Sequence, residues 1–327
     1  SFGASVAGVL LILGVGIMLW MKPEENGVWE GEKTVEPGIG QVVLTLGDGE
    51  SMPLKRDTNR LIFGGTMLQV RNERGTLVYS RIKSKEASEK IVYNTLTVPV
   101  RERFQLVLAD GTKVFLNSGS EMRYPERFGK ARREVFLKGE AWFEVAKDSA
   151  REFWVHAGAM DVKVLGTSFN VKAYERLETV ATTLVEGSVE VACAGKSFQI
   201  VPGEQFVYDK NNRVMDVRMV DTESYVSWKD GYYKFRQTTL EEIMETLSVW
   251  YGLNVFYVNE SAKQVEFTGK VKRYEDARML LDKFEQTGDV VFDIKGNNVF
   301  ITIKQKKPFA REWNSFLVKA RGMVWQS

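Results

Sequence analysis

The sequence predicts a mostly β protein: a single N-terminal transmembrane helix, an all-β domain of the sandwich or short-solenoid kind, and a small α+β module with the element order βαβ-βαββ. Three observations support this fold class. The chain opens with an uncharged apolar run, its middle consists of short alternating segments with turn signals, and helical spacing of apolar residues dominates only near the end. The predicted boundaries are 1–22 for the helix, 23–37 for a linker, 38–221 for the β domain, 222–305 for the module and 306–327 for a basic tail.

The opening run is long enough to cross a membrane once. From Phe2 to Met21 there are twenty residues without a charge, and at about 1.5 Å per helical residue they span roughly the 30 Å hydrocarbon core. Trp20 stands where an interfacial aromatic belongs, and Lys22 with Pro23 ends the run. A cleaved signal peptide would need a basic leading segment and a small-residue cleavage site, neither of which is visible. The alternatives are a buried core helix or an uncut signal segment.

The composition excludes several classes of function. The 327 residues carry 45 basic and 43 acidic side chains, a formal net charge of +2, which argues against a dedicated nucleic-acid-binding protein. His156 and Cys193 are each the sole residue of their type. An internal disulfide, a thiolate zinc cluster and most hydrolase triads are therefore excluded, so we expect no cofactor, no metal and no enzymatic activity.

Two similar segments near the start of the β region predict paired hairpins. QVVLTLGDGESMPL turns at Asp48-Gly49, and FQLVLADGTKVFLNSG turns at Asp110-Gly111. The Asp-Gly pair supplies the positive φ that a tight turn requires, and the flanking residues alternate between apolar and polar. The pattern indicates a duplicated strand-turn-strand unit. Short strands continue to about residue 220 without the spacing of parallel βαβ units, so the region is predicted to be all-β.

The spacing of apolar residues changes near residue 231. The first predicted helix has two possible capping boxes, Thr238 with Glu241 or Thr239 with Glu242. Two apolar stripes have helical spacing, and a glycine stops the second helix. The first stripe is Leu240, Ile243, Leu247 and Trp250. The second stripe is Ala277, Leu280, Leu281 and Phe284, and the glycine that stops the second helix is Gly288.

The end of the chain is basic and amphipathic. From Lys295 onward there are seven basic residues against one acidic residue, Glu312. A helix over this segment would place five apolar side chains on one side. They are Phe309, Trp313, Phe316, Leu317 and Ala320. Such a tail has three possible destinations: an apolar face of its own module, a groove of a partner, or an anionic lipid surface.

Several blocks of the chain resemble one known family in order and spacing. They are LADGTKVFLNSGSEMRYPERF, REVFLKGEAWFEV, VLGTSFNVKAYE and TTLVEGSVEV, followed by YVSWKDGYYKF and FRQTTLEEIMETLSVWYGLNVFY. The first four resemble FecR-type anti-sigma regulators of the Bacteroidota kind. The last two resemble that family's C-terminal module, which is similar to the short domain of secretins and TonB receptors. The resemblance covers residues 90–305, with looser similarity from Gly38; the usual Pro-Arg-Gly-Gly is here Pro99-Val100-Arg101-Glu102.

The resemblance implies a relay across the inner membrane. A cytoplasmic domain, which this chain lacks, would hold a sigma factor of the extracytoplasmic-function class. The helix from Phe2 to Met21 would cross the bilayer, and everything after about Lys22 would lie in the periplasm. The periplasmic part would contact the signalling domain of a TonB-dependent outer-membrane transporter, and occupancy of that transporter would lead to proteolysis of the regulator. Nucleic acid is not among the implied partners.

Partner binding is predicted in the α+β module, because a small open sheet offers edge strands to which a partner can add a strand. The candidate edges are Gln264–Lys270 and Val299–Lys304, and the sequence does not decide between them. The candidate contact residues are Gln264, Glu266, Thr268, Val299, Ile301, Trp250 and Tyr251. For the two aromatic residues, a place in the helix core is the stronger alternative.

Three other positions have possible chemistry and a simpler structural interpretation. Some members of the family cut their own chain at a Gly-Thr that matches Gly166-Thr167, by attack of the Thr hydroxyl on the preceding carbonyl; the alternative is a bend that packs a strand. His156 is interpreted as a surface or hydrogen-bonded side chain. Glu140 and Glu144 would lie about 13 Å apart on a strand, too far for a glycosidase pair, and are predicted to be solvated.

The leading functional prediction is a transmembrane signal transducer whose periplasmic part binds proteins. One alternative is a structural adaptor of an envelope transport assembly, since similar short modules occur in such assemblies. A membrane-tethered hydrolase is the other alternative, and the lack of a nucleophile or paired-acid motif argues against it.

Overall fold

The computed structural model describes residues 40–54, 60–63, 68–73, 76–81, 91–273, 276–287 and 289–304. The predicted membrane helix Phe2–Met21, the linker 23–37, the tail 306–327 and the helix stop Gly288 lie outside these residues. Within the described ranges, no helix has the length and apolar character needed to span a bilayer. The prediction of a β-rich protein is confirmed, because strands form most of the described secondary structure.

The first eighteen strands belong to the β domain. They are β1 (Val42–Thr45), β2 (Ser51–Leu54), β3 (Arg60–Phe63), β4 (Leu68–Glu73), β5 (Thr76–Arg81), β6 (Tyr93–Thr97), β7 (Phe104–Val107), β8 (Lys113–Leu116), β9 (Glu121–Pro125), β10 (Arg133–Glu144), β11 (Phe153–Ala157), β12 (Met160–Val164), β13 (Ser168–Ala173), β14 (Thr179–Glu186), β15 (Val189–Cys193), β16 (Lys196–Ile200), β17 (Glu204–Asp209) and β18 (Val214–Met219).

These strands form two layers that share one long strand. The first layer has the order β2-β1-β6-β9-β10-β11-β12-β15-β16, and the second has the order β3-β4-β5-β7-β8-β10-β13-β14-β17-β18. Most neighbours are antiparallel, with β10–β11 and β5–β7 parallel. Side chains from both layers join a single apolar core, so the domain is a sandwich.

Gly139 allows β10 to pass from one layer to the other. Its φ is +105°, a value that side-chain-bearing residues avoid. A Cβ at this position would lie 2.7 Å from Cα of Ser120, too close for any side chain. Residues before Gly139 pair with β9 and β11, whereas residues from Gly139 onward pair with β8 and β13. The glycine is therefore required at the point where the two sheets diverge.

The two predicted hairpins are both present, and they have the same turn. β1–β2 turns with Gly49 at φ +92°, and β7–β8 turns with Gly111 at φ +88°. In each turn the aspartate three residues before the returning strand accepts a backbone N–H: Asp48 Oδ1 from Glu50, and Asp110 Oδ1 from Thr112, both at 3.0 Å. Because the backbone hydrogen bonds also match, the duplicated strand-turn-strand unit is confirmed as a local structure.

A buried ion pair lies beneath the second hairpin. The guanidinium of Arg133 is 0 % exposed and contacts Asp110, 7 % exposed, at 2.8 Å. The same guanidinium donates to the carbonyls of Ala146, Arg151 and Leu165, at 2.8 to 3.3 Å. A buried charge is tolerated only when its donors are satisfied in this way. Asp110 therefore connects the β7–β8 turn, where it accepts the Thr112 N–H, to the start of β10, where it pairs with Arg133.

The C-terminal module has the predicted order of elements. A one-turn helix, α1 (Glu223–Val226), precedes β19 (Tyr232–Thr239), α2 (Leu240–Tyr251), β20 (Asn254–Tyr257), β21 (Glu266–Lys272), α3 (Ala277–Thr287), β22 (Val290–Lys295) and β23 (Asn298–Ile303). β19 and β21 form an antiparallel ribbon, and a second sheet has the order β20-β23-β22. Both helices pack their predicted apolar stripes into one core.

The first residue of α2 decides which of the two predicted capping boxes the helix uses. Thr239 is the N-cap, with extended backbone, and its hydroxyl accepts the N–H of Glu242 at 3.3 Å. Thr238 instead accepts the N–H of Arg236 at 3.0 Å, within an irregularity of β19. Gly252 ends the helix at φ +67°, as expected for a C-terminal glycine. The box Thr239 with Glu242 is therefore the one that the helix uses.

Candidate partner-binding site

One of the two candidate edges is an edge in the structure. β21 pairs with β19, and no other strand in the described ranges pairs with it. Gln264, Glu266 and Thr268 are all exposed along this segment, whereas Phe267 is buried between them. The exposed and buried residues alternate because successive side chains of a strand point to opposite faces. Glu266 and Thr268 therefore lie on an accessible strand, hereafter the β21 edge, and Gln264 ends the 3-10 turn just before it.

The prediction that Val299–Lys304 is a free edge was wrong. β23 lies in the middle of its sheet, parallel to β20 on one side and antiparallel to β22 on the other. Val299 and Ile301 are fully buried on the face that packs against the helices. Since both sides of β23 already carry a ladder, Val299–Lys304 has no free edge for an added strand.

Trp250 and Tyr251 are helix core residues. Both are buried at the end of α2, and both belong to the apolar cluster of the module. The guanidinium carbon of Arg273 lies 3.6 Å from the centroid of the Trp250 ring, and that of Arg101 lies 5.8 Å from the Tyr251 ring. Of the two alternatives, the structure therefore agrees with core packing and not with partner contact by these two rings.

The module packs directly on the second layer of the β domain. Trp142 of β10 is buried within the module's own apolar cluster, and Phe115 and Val185 pack against the same cluster. Lys172 of β13 lies 3.6 Å from Glu245 of α2. The apolar contacts fix the position of α2 against the sheet, because burial of large side chains is the main favourable contribution to such an interface.

A buried carboxylate organises the polar part of this interface. Glu140 accepts the side-chain amides of Asn117 and Asn170, each at 2.8 Å. Asn170 in turn accepts the indole N–H of Trp228 at 3.3 Å, and Trp228 lies just before β19. The carboxylate of the β domain is thus linked through one amide to the segment that begins the module. These four residues, Glu140, Asn117, Asn170 and Trp228, form what we call the Glu140 network.

The prediction that Glu140 is solvated was wrong. Its side chain is buried because it lies, with Trp142, on the face of β10 that the module covers, whereas Ala141 and Phe143 face the sandwich core. Burial raises the pKa of the Glu140 carboxyl above its ordinary value of 4.5; nearby Lys172 and the two asparagine amides oppose only part of that rise. Glu144, the other acid of the candidate pair, accepts the Trp142 indole N–H at 3.2 Å.

A second polar contact joins the β domain to the end of α2. The hydroxyl of Ser118 lies 3.1 Å from the carbonyl of Val249 and 3.3 Å from that of Trp250. Tyr174 donates to the Ser118 carbonyl at 2.8 Å, and burial raises the pKa of this phenol well above 10. The Ser118 hydroxyl thus lies against carbonyls in the last turn of α2, which have no partner within the helix. Beside them lies a groove of about 550 Å³ that Pro99 and Gly252 help to line.

Gly166 and Thr167 lie at the turn before β13. The Thr167 hydroxyl donates to the Ser188 carbonyl at 3.0 Å, and its own carbonyl accepts the N–H of Val145 at 3.0 Å. A Cβ on Gly166 would lie 2.9 Å from Cα of Lys147, so the glycine permits a close backbone approach. In this arrangement the hydroxyl hydrogen is directed at Ser188, and the pair borders a cavity of about 240 Å³.

His156 is hydrogen-bonded, as its sequence context suggests. Its Nδ1 lies 2.7 Å from a carboxylate oxygen of Asp161 on the neighbouring strand. The ring stacks on Phe136 with centroids 4.9 Å apart. Among the described residues, no group of three or more His, Cys, Asp or Glu side chains has the arrangement of a metal site.

Two family models match the two parts of this fold. The model described as "FecR protein" matches residues 94–190, in the β domain, and the model described as "FecR, C-terminal" matches residues 232–301, in the module. Together the matches cover just over half of the 327 residues. The chain belongs to the FecR family of anti-sigma factors. Membership in this family suggests a regulatory role for the chain.

Solved structures agree with the FecR assignment. Two crystal structures of a candidate anti-sigma factor from Parabacteroides distasonis ATCC 8503, at 1.65 and 2.50 Å resolution, are each 27 % identical to this FecR-family chain. Each superposes with a TM-score of 0.59. The matches cover 64 % and 65 % of this chain, and 99 % and 100 % of those chains. No curated protein matches the sequence.

Proposed function

We propose that this FecR-family chain is the transmembrane and periplasmic part of an inner-membrane regulator. It relays the occupancy of a TonB-dependent outer-membrane transporter to a sigma factor of the extracytoplasmic-function class. The sigma factor binds a cytoplasmic domain of the regulator, and the transporter's signalling domain binds the C-terminal module. Phe2–Met21 anchors the chain in the bilayer, and the residues after about Lys22 lie in the periplasm. Family membership supports the regulatory part of this proposal.

The observation that supports contact at the module is the β21 edge. An unpaired strand edge offers a row of backbone donors and acceptors, and a partner strand can satisfy them while side chains select the partner. Glu266 and Lys270 are exposed on the same face of this strand, one acidic and one basic. Their opposite charges set a polarity that a correctly oriented partner strand would match.

The Glu140 network supports the transfer of a signal beyond the module. Binding at one site affects another only when both sites bias a shared physical element. Here the module is held on the β domain by apolar contacts around Trp142 and by the hydrogen bond from Trp228, just before β19, to Asn170. A partner bound at the β21 edge can therefore shift the module together with the β domain on which it packs. The β domain follows the N-terminal segment in the chain, so such a shift can reach that segment.

The proposal predicts that reversing the two edge charges weakens binding of the transporter's signalling domain. In the full chain purified in detergent, Glu266→Lys with Lys270→Glu keeps the net charge but puts like charges opposite the partner strand. We expect the dissociation constant to rise by about tenfold or more, because juxtaposed like charges cost on the order of a kcal/mol or more at an interface. Calorimetry or biolayer interferometry measures the change.

The matched control is the same pair of reversals on the β domain. Glu186→Lys with Lys196→Glu changes two exposed residues there and leaves the net charge unchanged. Its affinity should equal that of the natural chain. If the control weakens binding as much as the edge variant does, or if the edge variant binds normally, the β21 edge is not the contact surface.

A further inference from the structure

The sheet β20-β23-β22 has one covered face and one open face. Strand alternation directs Val290, Phe292, Val299 and Ile301 toward the helices, where all four are buried. The opposite face carries residues of all three strands. They are Val291, Asp293 and Lys295 from β22, Asn298, Phe300 and Thr302 from β23, and Asn254 and Phe256 from β20, with Val258 just after β20.

Apolar side chains occupy one half of this open face. Phe256 is 47 % exposed, Val258 62 % and Val291 40 %. The Phe256 ring stacks on Phe300 with centroids 5.1 Å apart. Single exposed apolar residues are common, but three of them, grouped around the half-buried Phe300 on one sheet face, mark a surface that something else covers. We call these four residues, Phe256, Phe300, Val258 and Val291, the open-face patch.

The open-face patch lies where the described chain leaves the sheet. β20 runs parallel to β23, with Phe256 opposite Phe300, and β22 runs antiparallel, with Val291 opposite Thr302. The N–H of Val258 donates to Ile301 at 2.9 Å. All of these pairs lie toward the end of β23, which stops at Ile303. Of the polar residues of the face, Asn254, Asn298 and Lys295 occupy the other end of the strands, whereas Asp293 is opposite Phe300 and Thr302 is opposite Val291.

We propose that the chain's own C-terminal segment, residues 308–327, packs as an amphipathic helix across the open-face patch. Four residues, 304–307, connect β23 to this segment, which is an ordinary length for a connection between neighbouring elements. Pro308 suits the first turn of a helix. A helix over the 14 residues 308–321 would be about 21 Å long, similar to the roughly 20 Å of a six-residue strand.

The composition of the segment fits this face. Five apolar residues, from Phe309 to Ala320, recur at helical spacing on one side, whereas Arg311, Lys319 and Arg321 fall on the remaining surface. A covalently attached segment that begins beside the patch has an effective concentration on the order of millimolar. This tether favours the chain's own tail over a second copy or a separate protein, and it leaves the β21 edge, which belongs to the other sheet, open.

Photo-crosslinking from the patch tests the proposal. The full chain in detergent carries p-benzoylphenylalanine in place of Phe256, and a matched sample carries it in place of Val214, an exposed residue of β18. We expect irradiation of the first sample to give an intramolecular crosslink to a peptide within 308–327, at a yield independent of protein concentration. The second sample should lack that crosslink.

A pair of tail variants tests the same proposal by another measurement. Trp313→Ser with Phe316→Ser removes apolar contacts and should increase binding of an apolar dye and abolish the crosslink. Arg311→Ser with Lys319→Ser makes two changes on the polar side and should leave both signals as they are. Intermolecular crosslinks that disappear on dilution would show that a second copy covers the patch. Crosslinks to detergent or lipid alone, or a crosslink that survives in the apolar-side variant, would also overturn the proposal.

Discussion

Replacement of Asp110 by alanine should lower the free energy of unfolding by about 3–5 kcal/mol, because breaking a buried ion pair on one side leaves the other charge unpaired. The charge left behind is that of Arg133, which is fully buried and contacts Asp110 at 2.8 Å. Its other partners are backbone carbonyls, which do not neutralise a positive charge. Urea denaturation of the folded chain, followed by tryptophan fluorescence, measures the change.

The chain supplies a matched control in its other hairpin. Asp48 occupies the same place in the turn of β1–β2 and accepts a backbone N–H at the same distance, 3.0 Å, but it is exposed. Asp48→Ala should therefore lower the free energy of unfolding by about 1 kcal/mol or less, the typical value of one hydrogen bond. Equal effects of the two substitutions would mean that the turn, and not the ion pair, determines the stability of this region.

The natural chain should lose stability relative to Glu140→Gln as the pH rises above about 4.5. Burial raises the pKa of Glu140 in the folded state above its ordinary 4.5, so the folded state holds a proton that the unfolded state has released. Stability must then fall with rising pH through the window between the two pKa values. The slope is at most about 1.4 kcal/mol per pH unit for one proton. Glutamine does not titrate, so the difference between the two proteins isolates this residue.

The experiment compares unfolding free energies of the two proteins between pH 4 and pH 8. The glutamine also places its own amide against the amides of Asn117 and Asn170, which adds an offset. That offset does not depend on pH and so leaves the slope unaffected. A difference that stays flat, or that grows in favour of the natural chain as the pH rises, would contradict the account of Glu140 as a buried carboxyl at the interface.

Local features of this fold were predictable from sequence because their causes are local. The two Asp-Gly turns depend on four or five residues, and both formed with the same hydrogen bonds. The stripes of α2 and α3 became core faces for the same reason. For the capping box the sequence left two alternatives, and only the backbone of Thr239, extended before the helix, decided between them.

Features that depend on distant pairings were not predictable. The sequence treats Glu140 as one of a pair of strand acids, and its burial depends on Asn117 and Asn170, 23 and 30 residues away. The alternation of β10 continues through Gly139, with Leu137, Ala141 and Phe143 facing the sandwich core, so the strand pattern alone does not reveal that the module covers the opposite face. The edge assignment of Val299–Lys304 failed similarly, since the order of strands in a sheet follows from tertiary pairing.

Hydrogen exchange on the full chain in detergent tests the central claim most directly, because a strand added to the module would protect backbone amides on the strand that it joins. The measurement compares exchange with and without the signalling domain of the transporter. We predict that amides within Glu266–Lys272 slow on binding, while those of β16, at the outer edge of the first layer of the β domain, do not. Binding of the signalling domain with unchanged exchange over Glu266–Lys272 would contradict the account.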